Sequence, residues 1–560
     1  MNYTKNIFRE FNAEKLEQLR THPYYSEIRE HIISLADEML ENEPPRIRFS
    51  TMHSFFTTGS RDAYLTDTEK YFSRMTYLFD AYLLSGDEKY LPELADTVWN
   101  VCDFESWSPP WHLQEWSGVA GRRGCLELTS TAVGKTVAEI VYYLEDKLPE
   151  LVVRRARAEL QYRIIDSFAN GHPGFCNVKH NWASVCLANV FCVYAYFATD
   201  EEIEAQLPRM MRVAENYLSG YEDDGCCSEG LAYWDYGFAH FLIFITMLKD
   251  YTDGRINYFD NPKVRKIATF PYRIRLDEVG NTLAFSDTTG GQYRMPSWVA
   301  HTLKANYPDF PILENIAPTR LHRNEIRTLF CSDPDCVGDK IGVGNDAFED
   351  VQWYLYHGKN YGLGAKAGHN DEFHNHNDVG SFMVSKNNEI SFFDPGVGMY
   401  TKEYFDEKTR YLDMLCSSRG HSCPIINGEE QREGNRGICT LYAIKDNHFT
   451  FDMRNAYTVS TLESLVRDFD CNDEYFTITD TYRFSEMPTS LTERFVSCVP
   501  VTLEDGVIKS GGSSVEFDTD KLDAVVSSEA IRGTKTRTIY YVDLVPKRLD
   551  KNMTLKFKFS

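Results

Sequence analysis

The segment Gly368–Phe382 concentrates side chains that can bind metals and transfer protons. Its sequence, GHNDEFHNHNDVGSF, holds three histidines and three acidic residues just before a predicted strand. His374 and His376 are two positions apart, so on an extended backbone their imidazoles point the same way and can share a metal or a pocket. Asp394 and His421 follow downstream. Two histidines and one aspartate would leave an open or water-filled position on a zinc-like ion.

The pattern His-x-His-x-Asp at residues 374–378 also opens the metallo-β-lactamase signature. That signature continues with a second histidine directly after the aspartate, which completes a dinuclear site. Here the next residue is Val379, and the surrounding sequence lacks an alternation of strands and helices. The metallo-β-lactamase interpretation is therefore rejected.

A second cluster of polar side chains, NVKHNW, immediately precedes a predicted helix. Lys179, His180 and Asn181 are donors placed where a helix N-terminus already favours anions. A substrate carboxylate would be stabilised there. The alternative is that Asn181 only caps a helix that begins at Trp182.

A third cluster, DGCCSEGLAYWDY, ends in two tyrosines at the start of a predicted helix. Tyr233 and Tyr236 are three positions apart and hence share one face of that helix. Either tyrosine could be catalytic, and packing in a helical core is the alternative for both.

The elements around these clusters differ between the two parts of the chain. Up to about residue 320 the apolar residues recur at helical spacing, and short polar breaks separate the segments, as in antiparallel helix pairs. No repeat of fixed period is found, so a ring of helical hairpins fits better than a solenoid. The predicted helical segments are Arg74–Leu84, Leu91–Phe104, Thr131–Leu148, Val152–Phe168, Trp182–Phe197, Ile203–Leu218 and Tyr233–Leu248.

Beyond about residue 325, short runs with period-two alternation and Gly- and Asn-rich turns predict strands. In Tyr475–Phe484, for example, threonines alternate with apolar residues. The other predicted strands are Gln352–His357, Val379–Val384, Ile390–Phe393, Phe449–Met453, Thr538–Val545 and Met553–Phe559. The sequence therefore predicts a multidomain α+β protein with a helical domain at 1–325 and an antiparallel β-sandwich at 326–560.

Composition restricts the partners. The formal net charge of −24 argues against nucleic acid and anionic membrane surfaces as partners. A polyanionic substrate would require a local basic cleft. No stretch approaches the roughly 20 apolar residues of a membrane span, the N-terminus has no apolar signal region, and the 14 cysteines are scattered. We therefore expect a cytoplasmic protein, or a periplasmic or secreted one if a signal has been removed.

Together these segments resemble the heparinase II/III group of polysaccharide lyases, which includes oligoalginate lyases and broad glycosaminoglycan lyases. The resemblance covers nearly the whole chain and implies an N-terminal (α/α) toroid followed by a C-terminal antiparallel β-sandwich. His374-Asn-His376-Asn-Asp378-Val-Gly-Ser-Phe382 is similar to the signature of the group's β-domain. It implies that His374 is catalytic and that His376 binds a metal, with Asp394 and His421 as further ligands.

The helical segments extend the resemblance. Glu229-Gly-Leu-Ala-Tyr-Trp234 is similar to the group's Glu-Gly-x-x-Tyr-His element, which makes Tyr233 the catalytic tyrosine, with Tyr236 as the alternative. Trp234 departs from the usual histidine. His180-Asn181 stands in place of the Asn-Asn or Asn-His element that neutralises a uronate carboxylate. Further contacts with substrate are expected from Lys179, Trp182, Tyr236 and Arg419.

The resemblance implies β-elimination at a uronate, which leaves a 4,5-unsaturated sugar. One structural divalent metal is expected, Zn²⁺ first, with Mn²⁺ or Ca²⁺ as alternatives. The partner would be an anionic uronate-containing glycan, either glycosaminoglycan-like or alginate, and homo-oligomerisation is left open. Two alternatives remain: a glycoside hydrolase on an (α/α) toroid, using carboxylates among Asp223, Asp224, Glu229 and Asp235, and a non-catalytic glycan-binding protein.

Overall fold

The computed structural model describes residues 11–113, 119–313, 329–336, 338–406, 408–434, 438–532 and 536–560. The chain divides into two compact units. Unit 1 comprises Met1–Gly220, Asp235–Arg265 and Arg294–Lys340, and unit 2 comprises Tyr221–Trp234, Lys266–Tyr293 and Ile341–Ser560. The domain boundary predicted between residues 325 and 326 lies outside the described residues, so it stays a prediction.

The α-helices fall in the N-terminal part of the chain, as the apolar spacing predicts. Their bounds are α1 Ala13–Thr21, α2 Ser26–Glu41, α3 Phe49–Thr58, α4 Asp62–Ser85, α5 Leu91–Asp103, α6 Val119–Arg123, α7 Leu128–Tyr143, α8 Glu150–Leu160, α9 Ser167–Asn170, α10 Asn181–Phe197, α11 Asp200–Leu218, α12 Leu231–Tyr251, α13 Pro262–Arg273 and α14 Ser297–Asn306.

Within unit 1, helices close in the chain pack against each other: α2 on α4, α4 on α5, α7 on α8, and α10 between α7 and α11. Local capping fixes where several of them begin. Thr199 and Glu202 form a capping box at α11, in which each side chain accepts from the backbone N–H of the other residue. Helix α10 is buried along almost its whole length, so its apolar residues fill the core of the unit.

Helix α12 is the longest apolar helix in the described part of the chain. Its length and a mean hydropathy of 1.3 pass the test for a membrane span, contrary to the sequence-based expectation that no segment does so. However, 67% of this segment is buried inside the protein. Burial of this kind is typical of a core helix, which needs the same apolar composition as a membrane span.

Unit 2 is dominated by antiparallel sheets. The strands are β1 Asn281–Thr282, β2 Gly291–Gln292, β3 Asp346–Phe348, β4 Trp353–His357, β5 Tyr361–Lys366, β6 Phe382–Lys386, β7 Glu389–Phe392, β8 Ile425–Ile426, β9 Thr440–Lys445, β10 His448–Asp452, β11 Leu462–Cys471, β12 Phe476–Phe484, β13 Leu491–Ser497, β14 Val501–Glu504, β15 Val507–Ser510, β16 Ser513–Phe517, β17 Leu522–Arg532, β18 Thr536–Pro546 and β19 Asn552–Phe559.

Apart from the small β1–β2 pair, these strands form three sheets: β3 to β7 in sequence order, the eight-stranded order β14-β15-β16-β19-β12-β11-β10-β9, and β17-β18-β13-β8. Buried phenylalanines from all three meet in one core. Phe382 on β6 and Phe495 on β13 have ring centroids 5.5 Å apart, and Phe392 on β7 lies 5.3 Å from Phe559 on β19. This core anchors the loops between β5 and β8, which carry the predicted histidines.

One predicted strand begins later than expected. The apolar pattern places it at Val379–Val384, whereas β6 begins at Phe382. Gly380 has φ +93°, and the N–H of Ser381 donates to the carbonyl of Asp378 in a turn. This turn ends the histidine-rich loop and precedes the strand, because a left-handed backbone cannot belong to a regular ladder.

Candidate active site

Two loops of unit 2 are joined side by side. The segment before α12 contacts the segment Phe285–Thr288: the hydroxyl of Ser286 donates to the carbonyl of Ser228 at 2.9 Å, and the N–H of Ala232 donates to Thr288 Oγ1 at 3.0 Å. Gly230 makes this approach possible, because its φ is +93° and a Cβ there would lie 2.8 Å from the Phe285 carbonyl oxygen. Glu229 and Tyr233 are thereby placed beside Asp287.

Asp287 is the centre of the site. Its side chain is fully buried, and it accepts hydrogen bonds from His374 Nδ1 and His376 Nε2, both at 2.9 Å. Tyr404 donates to the same carboxylate, and Arg410 Nη2 lies 3.1 Å from it. Burial by itself raises the pKa of Asp287, but the hydrogen bonds from the two histidines outweigh burial and hold that pKa well below its usual range. Asp287 is therefore a carboxylate.

The ionised Asp287 determines the tautomers of both histidines. Its oxygens can only accept, so Nδ1 of His374 and Nε2 of His376 carry the protons. In a neutral imidazole the other nitrogen then has a free lone pair. His374 Nε2 is consequently available as a base, and His376 Nδ1 is available as a ligand.

His374 is held in an unusual backbone conformation. Its φ is +57°, and its carbonyl accepts from the N–H of Asp287, next to Ser286 with φ +72°. Non-glycine residues in this region cost on the order of 1–3 kcal/mol each and persist only where the surroundings enforce them. The conformation directs the His374 ring onto Tyr233: the ring centroids are 4.1 Å apart and the rings are stacked.

Tyr233 is the phenol of the site. Its hydroxyl lies 3.2 Å from His374 Nδ1 and also forms a hydrogen bond with the hydroxyl of Tyr400. Burial, with the nearby Tyr400 and Asp287, raises the pKa of Tyr233 far above its ordinary value. Tyr233 therefore keeps its proton at neutral pH and is suited to donate it.

Glu229 lies on the other side of His374. Its carboxyl group is buried, its Oε2 has no hydrogen-bond partner in the described part of the chain, and this atom is 3.9 Å from His374 Nε2. Burial raises the pKa of Glu229 to about 7. A positive charge on His374 would be stabilised by this carboxyl group in its ionised form.

The predicted metal ligands His376, Asp394 and His421 are brought together. All three are buried, and their ligand atoms lie within 4.8 Å of one another. His376 Nδ1 is a buried atom with no hydrogen-bond partner among the described residues. Gly396 shapes the loop after Asp394: its φ is +67°, a Cβ there would lie 2.2 Å from the Thr288 carbonyl oxygen, and its N–H donates to Asp394 Oδ1.

The hydrogen bonds around this cluster fit a metal ion. His421 Nε2 lies 3.1 Å from the carbonyl oxygen of Leu415, which can only accept, so Nδ1 is left facing Asp394 Oδ2 at 3.0 Å. Two acceptors at that distance need a proton or a cation between them. The second nitrogen of each histidine is bound to an oxygen, Leu415 O or Asp287 Oδ1, as is usual for metal-ligating histidines.

In a second group, Asp287, His376 and Cys416, the potential ligand atoms also lie within 4.8 Å of one another. It fits a cation less well. Arg410 already places a positive charge on Asp287, and burial raises the pKa of Cys416 to about 12, so the thiol keeps its proton. The group with Asp394 and His421 is therefore the better candidate.

The other predicted residues of the helical segments lie in unit 1. Helix α10 begins at Asn181, and its N-cap is His180, whose Nδ1 accepts from the N–H of Trp182. The alternative that Asn181 caps a helix beginning at Trp182 is therefore wrong. Asn181 is buried, whereas Lys179 is exposed. Gly220 packs against this loop, since a Cβ there would lie 1.8 Å from the Lys179 carbonyl oxygen.

Two predicted substrate contacts have other partners in the structure. The ring of Tyr236 packs edge-on against the ring of His240 within α12, with centroids 5.1 Å apart. Arg419 forms an ion pair with Glu430 at 2.6 Å and lines a pocket of about 480 Å³ with Tyr411. Their roles in substrate binding stay predictions.

Sequence reasoning missed four residues of the site: Asp287, Tyr400, Tyr404 and Arg410. Asp287 stands in Phe-Ser-Asp-Thr-Thr-Gly, a loop that no motif distinguishes. The other three share a short stretch after Asp394 that is dense in tyrosine and charge, and this density is the only local signal. One exposed aromatic ring borders His374 in unit 2: Phe405 is 41% exposed, and its ring centroid is 6.2 Å from that of His374.

The fold is an N-terminal (α/α) toroid followed by an antiparallel β-sandwich. Three solved structures are similar to it. They are heparinase III (TM-score 0.63, 13% identity, 100% of this chain and 93% of that chain), a heparan sulfate lyase mutant from Pedobacter heparinus (0.61, 13%, 99% and 92%) and chondroitin AC lyase from Streptomyces coelicolor A3 in complex with chondroitin sulphate (0.56, 9%, 98% and 81%).

No family profile matches the sequence, and no curated protein sequence matches it either. At 9–13% identity the likeness to solved structures establishes the fold. The fold class predicted from the sequence is thereby confirmed.

Proposed function

We propose that the protein is a polysaccharide lyase that cleaves uronate-containing glycans by β-elimination. The observation that carries this proposal is the pairing of a phenol with an imidazole in unit 2: Tyr233 and His374 stack at 4.1 Å, with the hydroxyl 3.2 Å from Nδ1. β-Elimination needs one group to remove a proton and another to donate one, and each such transfer contributes on the order of 10²–10⁴-fold.

The roles follow from the protonation states. His374 Nε2 removes the proton from C5 of the uronate, the electron pair forms the C4–C5 double bond, and the C4–O4 bond breaks. The proton of Tyr233 passes to the leaving oxygen. The products are a 4,5-unsaturated uronate and a sugar with a free hydroxyl group, and no water is consumed. The raised pKa of Tyr233 keeps the hydroxyl protonated and so excludes it as the base, which leaves it the role of donor in this scheme.

After the reaction His374 carries protons on both ring nitrogens and Tyr233 is a phenolate. The site is restored when His374 Nε2 releases the abstracted proton to solvent and Tyr233 takes one up from solvent, while His374 Nδ1 keeps its proton on Asp287. Tyr400 donates a hydrogen bond to the phenolate in the meantime, and Asp287 stabilises the imidazolium.

The uronate carboxylate must be neutralised, because the charge of the carbanion-like state spreads onto it. The sequence assigns this role to Asn181 with assistance from His180. The burial of Asn181 at the first turn of α10 supports the assignment, since helix N-termini favour anions. Removing one preorganised donor of this kind typically costs roughly 3–4 kcal/mol of transition-state stabilisation.

His376, Asp394 and His421 would hold one divalent cation. Two imidazoles and one carboxylate suit Zn²⁺, with Mn²⁺ as the alternative, whereas Ca²⁺ prefers six to eight oxygen ligands. The cation would supply a fixed positive charge that braces the loop. His376 and His374 share the carboxylate of Asp287, so bracing His376 also positions the base.

One observation is consistent with the alternative that the protein is a glycoside hydrolase. Glu229 has a pKa of about 7, as a general acid in such an enzyme would. Asp224, another of the predicted carboxylates in unit 2, also has a pKa raised by burial. In such a hydrolase, however, two carboxyl groups fill the acid and base roles, so the phenol stacked on the imidazole is not required.

The test is product absorbance on a panel of heparan, chondroitin, hyaluronan and alginate substrates. The conjugated double bond of the lyase product absorbs in the ultraviolet, where saturated sugars do not. Tyr233→Phe and His374→Ala should abolish the signal. Tyr475→Phe and His448→Ala are the matched controls and should retain the absorbance signal. Both side chains lie at or just before the start of strands in unit 2 and are more than a third exposed.

New reducing ends without an absorbance change would instead establish the hydrolase. Binding without either product would leave a glycan-binding protein. Tyr233→Phe and His374→Ala also separate the two proton transfers. A substrate with a good leaving group needs little acid catalysis, so it should rescue Tyr233→Phe and leave His374→Ala inactive.

A further inference from the structure

A groove of about 770 Å³ lies on unit 1, formed by the segment before α3, by α3 itself and by parts of α4 and α5. None of the candidate catalytic residues lines it. Its volume is within the range of about 300–1,000 Å³ that is usual for small-molecule sites. It is therefore large enough for a sugar unit.

The groove has unused positive charge. Arg46 and Arg48 line it, both are exposed, and neither side chain forms a hydrogen bond or ion pair within the described ranges. The other charged groups of the lining are paired: Arg122 lies 3.2 Å from Glu105, and the Asp103 carboxylate is bound to an arginine of α8 at 2.7 Å. In a chain with a net charge of −24, two unpaired arginines in one groove provide the local basic cleft that an anionic substrate requires.

The groove also has an exposed aromatic surface. Phe49 is 79% exposed, and its ring stacks on His53 with centroids 5.1 Å apart. Phe56 extends the surface, with its ring 6.0 Å from that of His53. The C–H face of a pyranose can pack on such rings while its charged substituents reach the arginines. Burial of the phenylalanine then removes apolar surface from water.

Ring contacts connect the groove to the loop that carries Asn181. Tyr64 lines the groove, and its ring lies 5.5 Å from Trp111. His112 follows Trp111, and its ring is 4.7 Å from that of Trp182, the neighbour of Asn181 in α10. A continuous series of ring contacts within unit 1 thus joins the groove to the loop that carries Asn181.

We propose that this groove binds an anionic sugar of the glycan away from the cleaved linkage, with Arg46 and Arg48 paired to its sulfate or carboxylate and Phe49 stacked on its ring. Calling this ligand the substrate rests on the proposed lyase function, whereas the binding itself does not. The planar guanidinium group of arginine can form two parallel hydrogen bonds with either a sulfate or a carboxylate. The groove would select long anionic chains over short or neutral ones.

The test compares the double variant Arg46→Ala/Arg48→Ala with a charge-matched control, Arg154→Ala/Arg483→Ala. The control removes two arginines in exposed surface ion pairs. Binding of a ladder of heparan-type oligosaccharides, their desulfated forms and oligoalginates is measured by calorimetry in a Tyr233→Phe background, so that turnover does not interfere. Each groove arginine should contribute roughly tenfold to the affinity for a long chain, and the difference should shrink as salt is added.

In a protein that keeps Tyr233, the groove substitutions should raise KM for long chains by the same factor by which they lower the affinity. KM for the shortest cleaved chain should change much less. Loss of affinity only for sulfated chains identifies sulfate as the anion, and loss for all anionic chains identifies the carboxylate. Equal affinities of the groove variant and the control for every chain would overturn the proposal, even if lyase activity is found. Reduced binding in the groove variant without any lyase activity would uphold the groove and reject only the catalytic proposal.

Discussion

Replacing Glu229 by glutamine is expected to remove a pH-dependent loss of stability. The carboxyl group is buried beside His374, and its Oε2 lacks a hydrogen-bond partner in the described part of the chain, so the folded protein disfavours the ionised form. Glutamine has nearly the same shape and cannot ionise. The variant should therefore match the wild type in acid and exceed its stability above neutrality.

The size of the effect follows from the pKa. Burial raises the pKa of Glu229 from 4.5 to about 7 in the folded protein. Between these two values the unfolded chain releases the proton while the folded protein retains it, so the free energy of unfolding falls as pH rises through this window. Below about pH 4.5 both states are protonated, and above about pH 7 both are ionised. At about 1.4 kcal/mol for each pKa unit, the wild type loses about 3 kcal/mol across the window.

The assay is urea-induced unfolding of wild type and Glu229→Gln at about pH 5 and about pH 8. The quantity compared is the difference in the free energy of unfolding between the two proteins, because the contributions of the other titrating groups are the same in both and cancel. Glu150→Gln is the matched control, because that side chain is 83% exposed. The variant should gain about 3 kcal/mol over wild type between the two pH values, and the control should gain nothing. If wild type and Glu229→Gln keep the same difference at both pH values, the argument from burial is wrong.

Three further predictions concern the metal cluster, the shared carboxylate and the core of unit 2. Elemental analysis of the purified protein should find one divalent ion per chain, which His376→Ala should lose while its far-ultraviolet circular dichroism is retained. Asp287→Asn should lower the affinity for that ion by roughly 10–100-fold and lower kcat as well, because an amide cannot accept from both histidines as a carboxylate does; a change in only one of the two quantities would argue against a shared carboxylate. Arg467→Met should reduce the free energy of unfolding by about 3–5 kcal/mol in urea, since it leaves the buried carboxylate of Asp480, 2.8 Å from the guanidinium, without a cation; an unchanged midpoint would refute this.

Local sequence was sufficient where a residue's environment is set by its neighbours in the chain. The three-to-four-residue spacing predicted α5, α10 and α11 almost to their ends, because one apolar face must be buried whatever it packs against. Period-two alternation did the same for β4, β12 and β19. The His-x-His spacing correctly indicated that His374 and His376 belong to one cluster.

The local sequence did not predict how the residues of that cluster are arranged. The prediction assumed an extended backbone, whereas His374 has φ +57° and the two rings bind opposite oxygens of Asp287. No spacing rule identifies Asp287, which is far from both histidines in the chain. Its role exists only because Gly230 and Gly396 let three loops approach closely.

The sequence by itself determined which segments are helices and strands and which residue types are available for proton transfer and metal binding. Those properties depend on periodicity and on side-chain chemistry, both of which are local. Only the tertiary structure decided which nitrogen of each histidine is free, why Tyr233 keeps its proton and why Glu229 titrates near neutrality. These properties depend on burial and on partners that are distant in sequence, because desolvation and hydrogen bonding act through space.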